Sequence, residues 1–160
     1  MRQIPPLVTT VGLFVNTGST QIRDVPKNCL LDAIQLHGNK SPELCHSLNL
    51  RIIKAFRIKE SEPLNILSKF QVDAYLLDTY VKGKLGGTGK TFDWNLAYHA
   101  KKYGQIILAG GLNPSNVSTA INQVKPYAVD VSSGVEAEPG RKDPKKVRDF
   151  IRTVRETDLS

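Results

Sequence analysis

Short runs of hydrophobic residues recur along the chain, separated by polar stretches and turn residues. Six of these runs are rich in Val, Ile and Leu and are mostly continuous, which is typical of parallel strands covered on both faces. The predicted strands are Leu7–Asn16, Ala33–Gly38, Arg51–Ile58, Ala74–Thr79, Gln105–Gly111 and Tyr127–Gly134.

Helices are predicted between these strands. Three of them open with an N-cap residue followed by proline at the first helical position. These pairs are Ser41 with Pro42, Asn113 with Pro114, and Asp143 with Pro144. A further helix is expected to begin at Trp94 after Asp93, and weaker patterns predict helices at Ser19–Cys29 and Glu62–Phe70. A repeated strand-then-helix order predicts a parallel α/β sheet.

The polar residues favour a barrel over an open doubly wound sheet. They gather where the predicted strands end, and a (βα)₈ barrel carries its active site on that face. These strand-end residues are Gln35, His37, Asp78, Gly110, Gly111, Asp130, Ser132, Ser133 and Gly134. No G-x-G-x-x-G motif follows a strand, so a dinucleotide-binding fold has no support.

Composition narrows the class of function. The 160 residues predict a single domain over 1–160, and 40% hydrophobic with 23% charged residues argues against disorder. No hydrophobic run is long enough to span a bilayer, and the two cysteines show no metal-ligand spacing, so we expect a cytoplasmic protein without a membrane partner. The net charge of +7 fits an anionic partner, either nucleic acid or a small phosphorylated substrate, or else a solvated basic surface. With no aromatic platform or known module, nucleic-acid binding is not favoured.

One glycine-rich stretch, GKLGGTGKT at Gly83–Thr91, resembles the end of a nucleotide-binding P-loop. A P-loop needs glycine five positions before the glycine of Gly-Lys-Thr, and that position holds Lys84. The following helix is also predicted to begin at Trp94 rather than at the Lys-Thr pair. ATP or GTP binding is therefore disfavoured.

Six motifs together carry a resemblance to a known family. VGLFVN, IQLHG, LLDT, GGTGKTFDW, LAGGLNPSNV and VDVSSGVEAEPGRKD occur in the order and approximate spacing seen in phosphoribosylanthranilate isomerase, over Ile4 to Phe150. The resemblance implies a (βα)₈ TIM barrel, no cofactor or metal, and an Amadori rearrangement in tryptophan biosynthesis. That reaction converts phosphoribosylanthranilate, a small phosphorylated substrate, into carboxyphenylamino-deoxyribulose phosphate.

The resemblance also implies residue roles. Asp78 would be the general acid, Asp130 would help orient the substrate near its anthranilate end, and Gln35 and His37 would line the pocket. Phosphate would be bound by Gly110, Gly111, Ser132, Ser133 and Gly134. Structural alternatives are a loop-capping Asp78, a hydrogen-bonded Asp130 inside the sheet, ordinary turns at the glycines, and a hydrogen-bonded structural His37. The stretch Gly83–Thr91 would be the mobile loop after the sixth barrel strand.

The N-terminal part of the family pattern has no counterpart among these motifs. Family members open with a strand carrying K-I-C-G, whose cysteine is the general base, and the present motifs match only units three to eight. Cys29 and Cys45 are interpreted as core residues rather than substitutes. We therefore expect a truncated isomerase with little activity. The alternative is a non-catalytic phosphate-binding partial barrel whose open edges are covered by self-association or by a partner chain.

Overall fold

The computed structural model describes residues 4, 5, 7–58, 63–79 and 94–158. Its centre is a parallel sheet of six strands in sequence order. The strands are β1 (Val11–Val15), β2 (Ala33–His37), β3 (Arg51–Ile58), β4 (Ala74–Thr79), β5 (Ile106–Leu108) and β6 (Ala128–Val129). A short antiparallel hairpin, β7 (Glu136–Glu138) and β8 (Arg141–Lys142), follows the sheet.

Helices alternate with these strands, as the sequence predicts. They are α1 (Ser19–Asn28), α2 (Pro42–His46), α3 (Trp94–Ala100), α4 (Val117–Val124) and α5 (Pro144–Asp158). Three 3₁₀ segments cover Leu64–Lys69, Lys101–Tyr103 and Ser133–Val135. The strand order never reverses, which is the arrangement of a (βα) barrel and not of a doubly wound sheet. None of the described helices combines the length and hydrophobicity that crossing a membrane requires.

Two of the three predicted helix starts are confirmed. The Ser41 hydroxyl accepts a hydrogen bond from the Leu44 N–H, and Pro42 follows it at the first helical position of α2. Before α5, the Asp143 carboxylate accepts hydrogen bonds from the N–H groups of Lys145 and Lys146. Both caps satisfy backbone donors that a helix start leaves without an internal partner.

The third predicted helix start is wrong, because α4 begins later than the Asn113–Pro114 pair. Asn113 instead accepts a bond from the Ser115 N–H at 2.8 Å, which is a local Asx-type turn, and Asn116 occupies the N-cap position. The predicted helix at Glu62–Phe70 is a 3₁₀ segment over its described residues. Asp93 lies outside the described residues, so its capping role stays a prediction.

Each strand presents its two faces to different surroundings. Ile34, Leu36 and Leu77 point outward into the large core that the sheet forms with the helices. Ala55, Leu76 and Ala109, with Ile53 and Ile107 against them, form a small separate cluster on the opposite face, which we call the interior face. The outward core therefore holds most of the buried hydrophobic residues.

Within the described residues, β1 and β6 each pair on one side only. On β1, Phe14 is buried in the outward core, whereas Val11, Leu13 and Val15 are 43%, 61% and 58% exposed. The interior face is thus open to solvent beside β1. Cys45 is buried in α2 as expected, but Cys29 is exposed after α1, so its interpretation as a core residue is wrong.

Lys54 of β3 is buried although it is charged, with 3% of its surface exposed. Its ammonium donates hydrogen bonds to the carbonyl oxygens of Ala55 (2.7 Å) and Gly38 (3.1 Å), and lies 4.6 Å from the ring centroid of Phe56. Burial lowers the pKa of Lys54, and the positive charge of Lys40 adds to that effect. Lys54 thereby ties β3 to the turn that follows β2.

This burial predicts a pH-dependent stability. In the folded state Lys54 releases its proton at a lower pH than in the unfolded chain, so above the folded pKa the unfolded chain binds more protons and stability rises with pH. We expect the free energy of unfolding of the wild type to rise relative to Lys54→Met as the pH is raised toward the ordinary lysine pKa of about 10.4, as measured by urea denaturation. Lys69→Met, which removes an exposed lysine, controls for the loss of one positive charge. A wild-type-to-variant difference that does not change with pH would contradict this account.

Candidate active site

Four charged or titratable residues lie on the interior face near the carboxyl ends of the strands. His37 ends β2, Arg57 and Asp78 face each other across β3 and β4, and Asp130 directly follows β6. Side chains alternate along a strand, so Arg57 lies on the same side as Ile53 and Ala55, and Asp78 on the same side as Leu76. We call these four residues, His37, Arg57, Asp78 and Asp130, the carboxyl-end cluster.

Electrostatic interactions tie the cluster together. Burial lowers the pKa of His37, and the negative charge of Asp78 opposes that effect. Lys54 and Arg57 lower the pKa of His37 further through their positive charges. The cluster draws its residues from β2, β3, β4 and the end of β6, so the site depends on the sheet register.

Asp130 is the carboxyl group whose environment disfavours ionisation. Burial raises its pKa, and the negative charge of Asp78 raises it further, while His37 and Lys142 act in the opposite direction. Asp130 still keeps an exposed surface, because the interior face is open, so solvent screens these interactions in part. Its backbone N–H donates to the Leu108 carbonyl at 2.8 Å, which fixes the end of β6 against β5.

Gln35 lies two residues before His37 on β2, so the two side chains project from the same face of the strand. Its Nε2 atom is 2.7 Å from Nε2 of His37, so the amide and the ring share a hydrogen bond. This contact orients the ring of a half-buried histidine beside Asp78. The predicted pocket-lining pair is thus brought into direct contact.

The loop after β5 is built from two glycines with left-handed backbone. Gly110 and Gly111 have φ angles of 76° and 67°, which other residues adopt only with strain, and they end the strand earlier than predicted. The side-chain amide of Asn116 donates to the Gly111 carbonyl at 3.0 Å, and its oxygen accepts from the Asn113 N–H at 2.9 Å. Asn116, at the N-cap of α4, therefore fixes the conformation of the loop through these two hydrogen bonds.

The loop after β6 packs directly on the loop after β5. A Cβ atom on Gly134 would lie 1.8 Å from the Leu112 carbonyl oxygen, so only glycine permits this approach. Lys142 on β8 donates to the Ser132 carbonyl at 2.8 Å and to the Glu136 carboxylate at 2.7 Å. The two loops form one surface, which we call the double loop, comprising 110–112 and 132–134.

The double loop leaves backbone donors available. Within the described part of the chain, the N–H groups of Gly110, Gly111 and Ser132 make no hydrogen bond. Backbone N–H groups left without a protein partner in a glycine-rich loop are available to bind phosphate oxygens. Ser132 and Ser133 add exposed hydroxyl groups at the same place.

The structure thus brings together all the site residues predicted from sequence. Gln35, Asp78 and Asp130 share the interior face, and the double loop contains the predicted phosphate-binding residues next to Asp78, because β5 pairs with β4 and with β6. The stretch Gly83–Thr91, including Lys90, lies outside the described residues. Neither cysteine joins the site, because Cys45 lies in α2 and Cys29 follows α1 at the opposite end of the strands.

Two residues at the site were missed by sequence reasoning. Arg57 is the fourth residue of an alternating series on β3, and its position opposite Asp78 could have been found by extending the strand alternation. Lys142 comes from the hairpin after the sheet, and its contact with Ser132 depends on a chain reversal at Pro139–Gly140 that the sequence analysis did not use.

Comparison with known proteins agrees with this geometry. Residues 1–153 match the family model for N-(5'phosphoribosyl)anthranilate (PRA) isomerase. The chain is 51% identical over 152 residues to the N-(5'-phosphoribosyl)anthranilate isomerase of Geobacter sulfurreducens, covering 95% of this chain and 75% of the relative. It is 52% identical over 151 residues to that of Citrifermentans bemidjiense, covering 94% and 73%.

Solved structures show the same likeness. The phosphoribosyl anthranilate isomerase from Thermotoga maritima superposes with a TM-score of 0.85 at 41% identity, covering 97% of this chain and 77% of that one. A second isomerase structure, in complex with reduced 1-(o-carboxyphenylamino)-1-deoxyribulose 5-phosphate, superposes with a TM-score of 0.79 at 38% identity, covering 97% and 75%. The resemblance found in the sequence motifs is confirmed, and the chain belongs to the N-(5'-phosphoribosyl)anthranilate isomerase family, whose members are isomerases of tryptophan biosynthesis.

Proposed function

We propose that this chain supplies the general acid and the phosphate-binding site for an Amadori rearrangement of N-(5'-phosphoribosyl)anthranilate. The observation that carries the proposal is the position of Asp78, on the interior face at a carboxyl strand end and one strand away from the double loop. Barrel enzymes place their reacting groups on that face and often bind phosphate with the loops after their last two strands. The product is 1-(o-carboxyphenylamino)-1-deoxyribulose 5-phosphate.

Asp78 acts as the general acid. It donates a proton to the furanose ring oxygen of the substrate, the bond between C1′ and that oxygen breaks, and the nitrogen lone pair forms a protonated Schiff base. A general base then removes the C2′ proton, and the resulting enolamine tautomerises to the ketone. Asp130 and Gln35 contact the substrate beside Asp78, with His37 held by Gln35.

The double loop holds the phosphate. Gly110, Gly111 and Ser132 offer N–H donors, and the serine hydroxyls offer further hydrogen bonds. Lys142, which is paired with Glu136, holds the Ser132 carbonyl in place. A phosphate fixed at this end holds the sugar at a constant distance from Asp78, and such positioning accelerates the reaction by lowering its entropic cost.

We further propose that the six strands correspond to units three to eight of an eight-unit barrel. Six of eight strands is three quarters, and the matched part of the relatives in Geobacter sulfurreducens is also 75% of their length. The family's base cysteine belongs to the first strand by the resemblance, and neither cysteine here replaces it. Burial raises the pKa of the Cys45 thiol, so less of it is present as the thiolate that could accept a proton.

A second candidate function is a non-catalytic phosphate-binding partial barrel that assembles with another chain. It is favoured by the exposed hydrophobic side chains of Val11, Leu13 and Val15 on the interior side of β1. In either case the cytoplasmic location expected from the sequence stays a prediction.

Isomerase activity tests the proposed acid and the proposed missing base. We expect the 160-residue chain to convert N-(5'-phosphoribosyl)anthranilate at least about 100-fold more slowly than its full-length relatives, because a general base contributes about 10²- to 10⁴-fold. Asp78→Asn should abolish the remaining turnover while the chain still binds the reduced product analogue, since the amide cannot donate an acidic proton. Loss of anthranilate-type fluorescence measures turnover, and Asp149→Asn on α5 is the matched control. Turnover close to that of the relatives would refute the missing base, and an active Asp78→Asn would refute the acid.

Gly134 tests the phosphate-binding role of the double loop. Gly134→Ala places a methyl group against the Leu112 carbonyl, so the two loops must separate. We expect at least about a tenfold loss in affinity for the reduced product analogue by isothermal titration calorimetry, together with about 1–3 kcal/mol of lost stability from overpacking. Gly18→Ala is the control, because Gly18 has an ordinary φ of −63° and a Cβ there would come no closer than 3.9 Å to another residue. Wild-type affinity in Gly134→Ala would contradict the role.

The oligomeric state tests the second candidate. If the exposed side of β1 associates with another copy, the 17.7 kDa chain should elute from gel filtration as a larger species at high concentration. Leu13→Lys should shift it to the monomer, because a charge cannot be buried there without a partner. Leu30→Lys alters a residue that is 83% exposed and lies before β2, outside the sheet, and should not change elution. A monomeric wild type at every concentration argues against self-association.

A further inference from the structure

We propose that Lys142 is a positioning residue for phosphate binding: it holds the Ser132 carbonyl toward the β7–β8 hairpin and so directs the N–H of Ser133 toward the phosphate. This inference rests on the proposed function and deepens it, because it assigns a task to a side chain for which the resemblance implies no role. It is carried by three observations: the hydrogen bonds of Lys142, the geometry of the peptide group that it holds, and the packing that fixes the chain beyond Ser133.

The ammonium group of Lys142 joins the hairpin to the loop after β6. It donates to the Glu136 carboxylate at 2.7 Å, to the Ser132 carbonyl at 2.8 Å and, over a longer 3.4 Å, to the Ser132 hydroxyl. The hydrogen bond from Lys142 lowers the pKa of Glu136, so this carboxylate is ionised at neutral pH. An ammonium has three N–H donors, and three acceptors already surround this one. Lys142 is therefore placed to hold the loop rather than to bind an anion itself.

The Ser132 carbonyl depends on Lys142 for its direction. Within the described part of the chain it accepts one other hydrogen bond, from the Val135 N–H at 3.5 Å, which is longer than an ordinary N–H···O bond. Ser132 has φ −119° and ψ −87°, so it belongs neither to a helix nor to a strand whose regular bonds would fix the peptide. The charge-assisted bond from Lys142 is shorter and stronger, and it decides where the carbonyl points.

The direction of this carbonyl sets the direction of the next N–H group. A peptide bond is planar and trans, so the carbonyl oxygen of Ser132 and the N–H of Ser133 point to opposite sides of the chain. Because the oxygen is held against Lys142, the Ser133 N–H points away from the hairpin. In the described ranges this N–H makes no hydrogen bond, so it is available to a phosphate oxygen next to the N–H of Ser132.

Packing fixes the chain just beyond Ser133. Gly134 lies so close to the Leu112 carbonyl that a Cβ atom would come within 1.8 Å of its oxygen. The Asp143 N–H donates to the Val135 carbonyl at 2.8 Å, which ties the following residue to the start of α5. Rotation of the peptide between Ser132 and Ser133 is therefore the freedom that these contacts leave, and Lys142 restrains it.

Different roles for Lys142 make different predictions. If Lys142 holds the peptide, its removal lets the Ser132 carbonyl oxygen rotate to the phosphate side, and a donor is exchanged for a partly negative acceptor. That exchange weakens only ligands that carry a phosphate. If Lys142 bound the phosphate directly, its removal would weaken the same ligands without changing the loop. If it only stabilised the fold, its removal would weaken every ligand of the site alike.

The experiment compares two ligands on four proteins by isothermal titration calorimetry. The ligands are reduced 1-(o-carboxyphenylamino)-1-deoxyribulose 5-phosphate, which is the compound bound in an isomerase structure, and the same compound without its phosphate. The proteins are the wild type, Lys142→Met, Lys142→Arg and Lys145→Met. Lys145 is a matched control, because it is a nearby lysine whose side chain is 83% exposed and pairs only with Asp149 of its own helix at 4.0 Å. Urea denaturation establishes that each variant folds, and a crystal structure of ligand-free Lys142→Met gives the direction of the Ser132 carbonyl.

We expect Lys142→Met to weaken the phosphorylated ligand at least about tenfold, as for the loss of one hydrogen bond to a charged group, and to change the other ligand by less than about threefold. Lys142→Arg keeps the charge and a donor, so it should stay within about threefold of the wild type for both ligands. Lys145→Met should change neither. In the Lys142→Met crystal structure the Ser132 carbonyl should point away from its wild-type direction.

An equal loss for both ligands, or no loss for the phosphorylated one, overturns the role of Lys142. A loss confined to the phosphorylated ligand with the Ser132 carbonyl in its wild-type direction also overturns it, because Lys142 would then bind the phosphate directly. In each of these cases the proposed function stands as long as the wild type binds the phosphorylated ligand more tightly than the other. A wild type without that preference overturns the proposed phosphate site, and this inference with it.

Discussion

The in-register pairing of parallel strands is the constraint on which the rest of this structure depends. Because side chains alternate, the register of β2, β3 and β4 decides at once which residues enter the outward core and which face the interior. A shift of one residue in β4 would move Leu77 out of the hydrophobic core and Asp78 into it. The free energy of burying the outward residues therefore also fixes the position of the candidate acid.

Lys54 strengthens this constraint at the site. It lies on the outward face, where a charge is unfavourable, yet it donates to the carbonyl groups of Gly38 and Ala55 near the ends of two strands. The burial of Lys54 strengthens these hydrogen bonds, since electrostatic interactions increase as the local dielectric falls. A buried lysine with two carbonyl partners fixes the turn after His37 at the expense of stability.

The sequence predicted much of this fold, and the failures share a cause. Strands β3 and β4 match their predicted bounds. In β4 the hydrophobic run is continuous and ends at the polar residues Asp78 and Thr79. A strand was predicted at Tyr127–Gly134, but β6 covers only Ala128–Val129. The chain then turns into a 3₁₀ segment, in which Gly134 packs against the Leu112 carbonyl. Such contacts between distant residues leave no periodic signal.

Site residues that directly follow a hydrophobic run could be predicted from the sequence. Site residues whose position depends on packing could not. Asp78 and the glycines at 110 and 111 were found because they follow hydrophobic runs directly. Arg57 lies inside a run that reads as a buried strand, where its charge has no evident use until the register places it opposite Asp78. The burial of Lys54 was equally unpredictable. Lys54 and Arg57 are basic residues at spaced positions in the same strand, and the sequence pattern does not tell the buried one from the exposed one.

The open interior face links the chemistry to the architecture. In the described residues the carboxyl-end cluster is reached by solvent past the exposed side chains of Val11, Leu13 and Val15, so its charges act through a high effective dielectric. The strands proposed to precede β1 would cover that side. Covering it would lower the effective dielectric there and strengthen the effect by which the negative charge of Asp78 raises the pKa of Asp130. Completion of the barrel would therefore do more than supply a base, because it would also shield the charges of the carboxyl-end cluster from solvent.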